Sequence, residues 1–271
     1  MQIASRQAMW GGNGRGTFLE VEMTPSTGLY IRFVIEPVTP GIMSVDWGDG
    51  TTTEVSSDRR VYVDHTYGAH GGYKIRLRNI AGLALRELDG EPQYSNDDAI
   101  ISFVDYDNVI RGVASGGFEC ARNLKRVWLP AATGVGQRPF AYCSNLKECY
   151  TPLCAYFYDG VYEYCDKLET LELGGGTLWS AIFWGCTNLR EIRFTHVDQI
   201  SDRCFGDCPS LTDIYMGDKT IAQVTQTSGD GDIIAGYGAR FPWDANPTTR
   251  FHCLDGIVLG NGSVINGQRQ N

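Results

Sequence analysis

Phe118-Glu-Cys-Ala-Arg-Asn-Leu124-Lys-Arg-Val127-Trp-Leu129 is followed by four segments of the same pattern. They are Phe140-Ala-Tyr-Cys143-Ser-Asn-Leu146-Lys-Glu-Cys149-Tyr-Thr151, Tyr162-Glu-Tyr-Cys165-Asp-Lys-Leu168-Glu-Thr-Leu171-Glu-Leu173, Phe183-Trp-Gly-Cys186-Thr-Asn-Leu189-Arg-Glu-Ile192-Arg-Phe194 and Phe205-Gly-Asp-Cys208-Pro-Ser-Leu211-Thr-Asp-Ile214-Tyr-Met216. The leading aromatics are 22, 22, 21 and 22 residues apart. An apolar residue lies five before each of them: Val113, Val135, Phe157, Leu178 and Ile200.

A unit near 22 residues is too short to bury an apolar face alone, so it must stack on its neighbours as one coil of a solenoid. The closing pair of each unit alternates with period two, which marks a short strand with both members inward. Stacked strands give a parallel sheet along one side of a right-handed solenoid. Phe118, Phe140, Tyr162, Phe183 and Phe205 should stack inside, each beside the Leu six residues later. Cys143, Cys165, Cys186 and Cys208 share one rung, where Cys serves as a small hydrophobe. Coils about 5 Å apart leave a disulfide within reach, but the expectation is buried free thiols. Nine cysteines without a CxxC pair do not suggest zinc.

The pattern aromatic-x-x-Cys-x-x-Leu-x-x-Ile-x-Leu resembles the BspA-like, treponemal-type leucine-rich repeat, over roughly residues 100–216. Ala121 replaces Cys in the first unit, and Tyr162 replaces Phe in the third. The resemblance implies a bacterial, often surface-exposed, adhesive or recognition protein; it does not imply an enzyme.

Upstream, Ser44-Val-Asp-Trp-Gly-Asp-Gly-Thr51 precedes His65-Thr-Tyr67 and Tyr73-Lys-Ile-Arg-Leu77. Asp49-Gly50 between apolar runs signals a hairpin. Together with 18–23 and 29–35, these runs read as short strands of a β-sandwich. The motif set resembles the polycystic-kidney-disease (PKD) domain, an immunoglobulin-like module, with Trp47 and His65–Tyr67 structural by that resemblance. Asp46 and Asp49 read as turn caps, with calcium ligation the alternative.

The expected fold is therefore β-rich with two domains. Residues 1–17 are a flexible lead-in, 18–81 a PKD-like sandwich and 82–100 a connector or N-terminal cap. Residues 101–220 form about five leucine-rich coils, and 221–271 a C-terminal cap and tail. Gly229-Asp-Gly-Asp232 lacks the spaced acids of a calcium loop and reads as a plain loop.

The 271-residue chain carries 23 Lys+Arg against 32 Asp+Glu, a formal charge of −9. Residues 1–81 hold eight of each sign, so the whole excess lies beyond them. That balance argues against a nucleic-acid binder. No stretch has the roughly 18 apolar residues of a membrane helix, and the start has no apolar signal core. No nucleophile elbow, Walker loop, dinucleotide fingerprint or HExxH is present. No catalytic residue, metal or cofactor is expected. His65, His70, His196 and His252 occur singly.

Binding is placed on the outer face of the repeat strands. Between the inward pairs lie Trp128, Tyr150, Glu172, Arg193 and Tyr215, with Arg126, Glu148, Thr170, Glu191 and Asp213 two positions earlier. Trp128 and Tyr150 are the expected anchors; the alternative is that these side chains only stabilise the sheet through neighbour-strand contacts. The reading is a non-catalytic surface or extracellular recognition or adhesion protein with an unknown protein or glycan ligand. Alternatives are a phage or prophage tail-associated, receptor-binding protein, and a carbohydrate-binding accessory module of a larger enzyme.

Overall fold

The computed structural model describes residues 16–84, 97–225, 234–235 and 241–265. Four sequence expectations lie wholly or mostly outside them: the Gly-rich opening, the middle of the connector, the Gly229–Asp232 loop and the end of the tail. Seven strands come first: β1 (Thr17–Met23), β2 (Tyr30–Pro37), β3 (Gly41–Asp46), β4 (Thr52–Ser57), β5 (Val61–Thr66), β6 (Gly71–Arg78) and β7 (Ile80–Ala84). One antiparallel sheet has the order β4-β3-β6-β1, and a second has β5-β2-β7. Alternation explains the faces: Leu19, Val21 and Met23 point in, while Glu20 and Glu22 point out.

The hairpin predicted at Asp49-Gly50 joins β3 to β4. Gly48 is required there, because its φ is +81° and a Cβ would stand 2.7 Å from the Lys74 carbonyl oxygen. Trp47 is fully buried and donates from Nε1 to Thr53 Oγ1 at 2.9 Å. Tyr67 Oη donates to the Trp47 carbonyl at 3.1 Å, and His65 stacks on the Trp47 indole at 4.8 Å.

Both sheets continue into the repeats. β8 (Ile100–Asp105) pairs antiparallel with β1 and parallel with β10 (Arg126–Trp128). β9 (Gly112–Val113) pairs parallel with β7. Asp105 ties the junction: fully buried, it accepts from Thr17 Oγ1 at 2.8 Å and from the Ile110 amide at 2.7 Å.

Further strands are β11 (Gly134–Val135), β12 (Glu148–Thr151), β13 (Tyr156–Phe157), β14 (Thr170–Leu178), β15 (Glu191–Ile200), β16 (Asp213–Tyr215) and β17 (Ile234–Ala235). The first sheet runs β8-β10-β12-β14-β15-β16, with every pairing parallel. A second parallel sheet, β9-β11-β13-β14-β15-β17, passes through the predicted apolar positions Val113, Val135, Phe157, Leu178 and Ile200. The sequence reading placed a sheet on one side only; two-residue strands are too short to show alternation. β14 and β15 belong to both sheets, turning the corner near Gly174–Gly176. A Cβ at Gly175, where φ is +106°, would overlap the His196 carbonyl.

The aromatic arm makes a third hydrogen-bonded row. Residues two before and two after each leading aromatic are left-handed in all five coils: Gly116/Cys120, Arg138/Tyr142, Gly160/Tyr164, Ala181/Gly185 and Arg203/Asp207. Alternate amides then point along the axis. Arg138, Phe140 and Tyr142 donate to the carbonyls of Asp159, Val161 and Glu163 in the next coil.

Inside, Phe103, Phe118, Phe140, Tyr162, Phe183 and Phe205 form one stacked column with centroid spacings of 5.4, 6.0, 5.9, 5.7 and 5.9 Å. Trp243 and Phe251 close it edge-on against Phe205, each at 6.3 Å. All nine cysteines are free thiols. Cys143, Cys165, Cys186 and Cys208 each donate from Sγ to the carbonyl of the previous coil's aromatic, at 3.0–3.1 Å. Cys therefore supplies a small apolar volume and a donor that Ala lacks. Ala121 suffices in the first unit, which follows no repeat of this pattern.

The chain ends with a helical turn α1 (Ile221–Thr225), then β18 (Arg250–Cys253), β19 (Gly256–Leu259) and β20 (Val264–Ile265). β18 extends the first sheet parallel to β16, and β19 and β20 fold back antiparallel.

Candidate functional site

The outer face of the first sheet carries two rows in register. One runs Ser102–Arg126–Glu148, then Thr170–Glu191–Asp213–Arg250. The other runs Val104–Trp128–Tyr150–Glu172–Arg193–Tyr215–His252. Sequence alternation thus assigned the outward residues to the face they occupy. β1 adds Glu20, which accepts from Ser102 Oγ at 2.7 Å and from Arg126 Nη2 at 3.3 Å.

Their accessibility departs from the expectation. Trp128 and Tyr150 stack at 4.2 Å in a small cluster with Val104 and Tyr106, and are only 1% and 6% exposed. The expected pair of open aromatic anchors is corrected: here the rings bind one another on the sheet's outer side and offer little area. Alternation tells which way a side chain points, but not what lies above it. Accessible polar residues surround them. A depression of about 280 Å³ is lined by Lys147, Glu148, Thr170, Glu172, Glu191 and Arg193, with Trp128 and Tyr150 at its edge.

The C-terminal end of the face is a charge network. Arg193 lies 3.7 Å over the Tyr215 ring and pairs with Glu191 at 2.6 Å. Tyr215 stacks on His252 at 4.2 Å. Asp213 accepts from Arg250 Nη2 at 2.5 Å and is bonded to His252 Nε2 at 2.6 Å. Burial alone would raise the Asp213 pKa, but the hydrogen bonds from Arg250 and His252 outweigh it and hold the carboxyl below its ordinary range. At the corner, His196 bridges Asp218 through Nδ1 at 2.7 Å and Asp198 through Nε2 at 2.5 Å. The bonds to Asp218 and then Asp198 raise its pKa.

None of the hydrogen bonds among the described residues joins a histidine to a cysteine, and no three His, Cys, Asp or Glu side chains are placed to hold a metal there. Burial pushes Cys149, Cys154 and Cys208 up to about 12, far from a reactive thiolate. Asp46 and Asp49 are occupied as turn caps. Asp46 Oδ1 accepts from the Gly48 amide at 3.1 Å; Asp49 Oδ1 accepts from Thr51 Oγ1 at 2.7 Å, and its Oδ2 is bonded to His65 at 2.7 Å. No helix of the described residues is long and apolar enough to cross a membrane.

Sequence reasoning missed the asparagines that follow the Cys rung. Asn123, Asn145 and Asn188 donate from Nδ2 to the carbonyls of Asp98, Arg122 and Asp166 in the preceding coil, at 2.7–2.8 Å. The recurring Asn-Leu pair two residues after the Ala121, Cys143 and Cys186 rung was the available signal, weakened by Lys167 and Ser210 in the third and fifth units.

The repeated segment has a counterpart among known families. Residues 111–228 match the BspA type leucine rich repeat region, in six copies. This segment is similar to BspA-type leucine-rich repeats. Similar solved structures are a leucine rich repeat protein of T. pallidum (19% identity, TM-score 0.41, 51% of this chain and 66% of that one), and a leucine rich cell surface protein of Faecalibacterium prausnitzii (17%, TM-score 0.37, 55% and 45%). A third is a leucine-rich repeat protein of Bacteroides ovatus (13%, TM-score 0.32, 53% and 43%). The chain therefore spans between 43% and 66% of the lengths of these structures. No curated protein matches it.

Proposed function

We propose that this chain is a non-catalytic surface or extracellular recognition protein that adheres to a protein partner through the outer face of the first sheet. The observation that supports this reading is the pair of in-register rows crossing the stacked strands, with polar side chains around the 280 Å³ depression. A solenoid's sheet offers an extended, rigid docking surface, and fixed charges on it select register and partner. The BspA-type repeats favour protein interaction over catalysis. In the same proposal, residues 18–81 are a PKD-like, immunoglobulin-like module, supported by two antiparallel sheets around Trp47, His65 and Tyr67. The test is binding of the purified chain to an array of extracellular host proteins, repeated with a Glu148→Lys/Arg193→Glu variant. Both side chains are exposed on the depression, so the fold should survive. A partner lost by the charge reversal supports the assignment; undiminished binding with intact circular dichroism removes this face.

A further inference from the structure

The outer face of the second sheet has a different character. Its outward row runs Glu36–Gly82–Gly112–Gly134–Tyr156 across five strands in register. Four strand spacings put its ends about 19 Å apart. A cavity of about 360 Å³ lies over its first half, lined by Glu36, Arg60, Gly82, Ala84, Arg111 and Gly112 among others. Glu36 Oε2 lies over Gly82 and pairs with Arg60 Nε at 3.0 Å. Arg111 is exposed and has no ion pair among the described residues. The cavity wall is thus net cationic on a chain of net charge −9.

At the other end, Tyr156 is 57% exposed, and its neighbour in register, Gly134, has no side chain. Open space surrounds the Cβ position of Gly134. One side of the Tyr156 ring therefore faces bare backbone. Tyr158, on the same side of the strand and 48% exposed, is backed by Trp179 at 6.0 Å.

We infer that this trough binds an acidic oligosaccharide, one whose pyranose rings carry carboxylates. The bare tyrosine face suits the C–H face of a sugar ring. The glycine floor lets a flat chain lie against backbone. Arg111 supplies a planar fork for a carboxylate, and Glu36 an acceptor for hydroxyls. Apolar atoms of Val34, Leu83, Ala84 and Val113 line the cavity beside the two arginines, and the open tyrosine face beyond them favours a sugar ring over a peptide. This inference does not depend on the first sheet's face.

Calorimetric titration with an oligogalacturonide tests it, beside a neutral cello-oligosaccharide and an oligoglutamate peptide. Binding of the oligogalacturonide alone is expected. Affinity should fall about tenfold or more in Arg111→Gln, in Tyr156→Ala, and in Gly134→Leu, which fills the trough. Gly134 has an ordinary φ and free space, so the last variant should keep its melting temperature. Absence of binding, equal binding of the neutral sugar or the peptide, or unchanged affinity in all three variants overturns the inference.

Discussion

Replacing Leu168 by Ala tests whether the interior is a continuous column or a set of loosely stacked coils. Leu168 is fully buried in the middle coil, with Leu146 and Leu189 equally buried one coil to either side. Removing three carbons at about 0.8 kcal/mol each loses about 2.4 kcal/mol of transfer energy. Collapse is hindered, because both neighbouring coils are held by backbone hydrogen bonds on three sides. A residual cavity of roughly 60 Å³ at about 24 cal/mol per Å³ adds about 1.5 kcal/mol. The expected loss is therefore about 4 kcal/mol, read as a lower urea midpoint at unchanged slope. Leu153→Ala, at a site 59% exposed, is the control and should stay within about 0.5 kcal/mol. A loss below about 1.5 kcal/mol for Leu168→Ala, at unchanged slope, would refute the packed-column reasoning.

Three further outcomes are expected. Ala181→Gly relieves a left-handed residue with φ of 56°; the roughly 1–2 kcal/mol of strain exceeds the roughly 0.5–1 kcal/mol entropic cost of glycine, so the melting temperature should rise slightly. Ellman's reagent at pH 8 should leave the fully buried Cys143, Cys165 and Cys186 untouched until the protein unfolds, with the half-buried Cys120 reacting first; immediate titration of all nine thiols would contradict the packing. Melting temperature against pH should show two limbs. Asp49, lowered from 3.8 to about 2 chiefly by its hydrogen bond from Thr51, contributes stability present above about pH 4 and lost as pH falls towards 2, a dependence that Asp49→Asn removes. His196, raised above 6.5, contributes stability present below that value and lost as pH climbs through its raised pKa, and His196→Gln should flatten that limb.

The coil was legible because two periods coincide: the near-22-residue recurrence of aromatic, Cys and Leu, and the alternation of the closing strand. Side-chain volume is selected at those positions, so residue type records them. The left-handed positions were not legible. Cys120, Tyr142, Tyr164, Gly185 and Asp207 share a backbone conformation but no chemistry; the amide row imposes the conformation from outside. The pairing of β1 with β8 joins residues more than 80 apart, such as Glu20 and Ser102, with no local sign. On the candidate face, direction was readable and cover was not, as Trp128 and Tyr150 show. The glycine trough arises where Gly82, Gly112 and Gly134, spread over three separate segments, come into one row only through strand pairing.

The reversal of strand direction at both ends of the first sheet bears on how many coils can stack. A stack of identical parallel coils has no intrinsic length: each terminal coil presents the backbone groups that would accept another, and such an array can grow into a fibre. Here the antiparallel β1 occupies one terminus of the first sheet, and the antiparallel pair β19 and β20 follows β18 at the other. In the second sheet, β2 reverses direction immediately beyond β7. In the first sheet, a foreign coil arriving in the repeat's own orientation finds a mismatched hydrogen-bonding pattern at either terminus. Deleting residues 17–23 would leave the β8 edge of the first sheet unpaired, an edge that the antiparallel β1 otherwise covers.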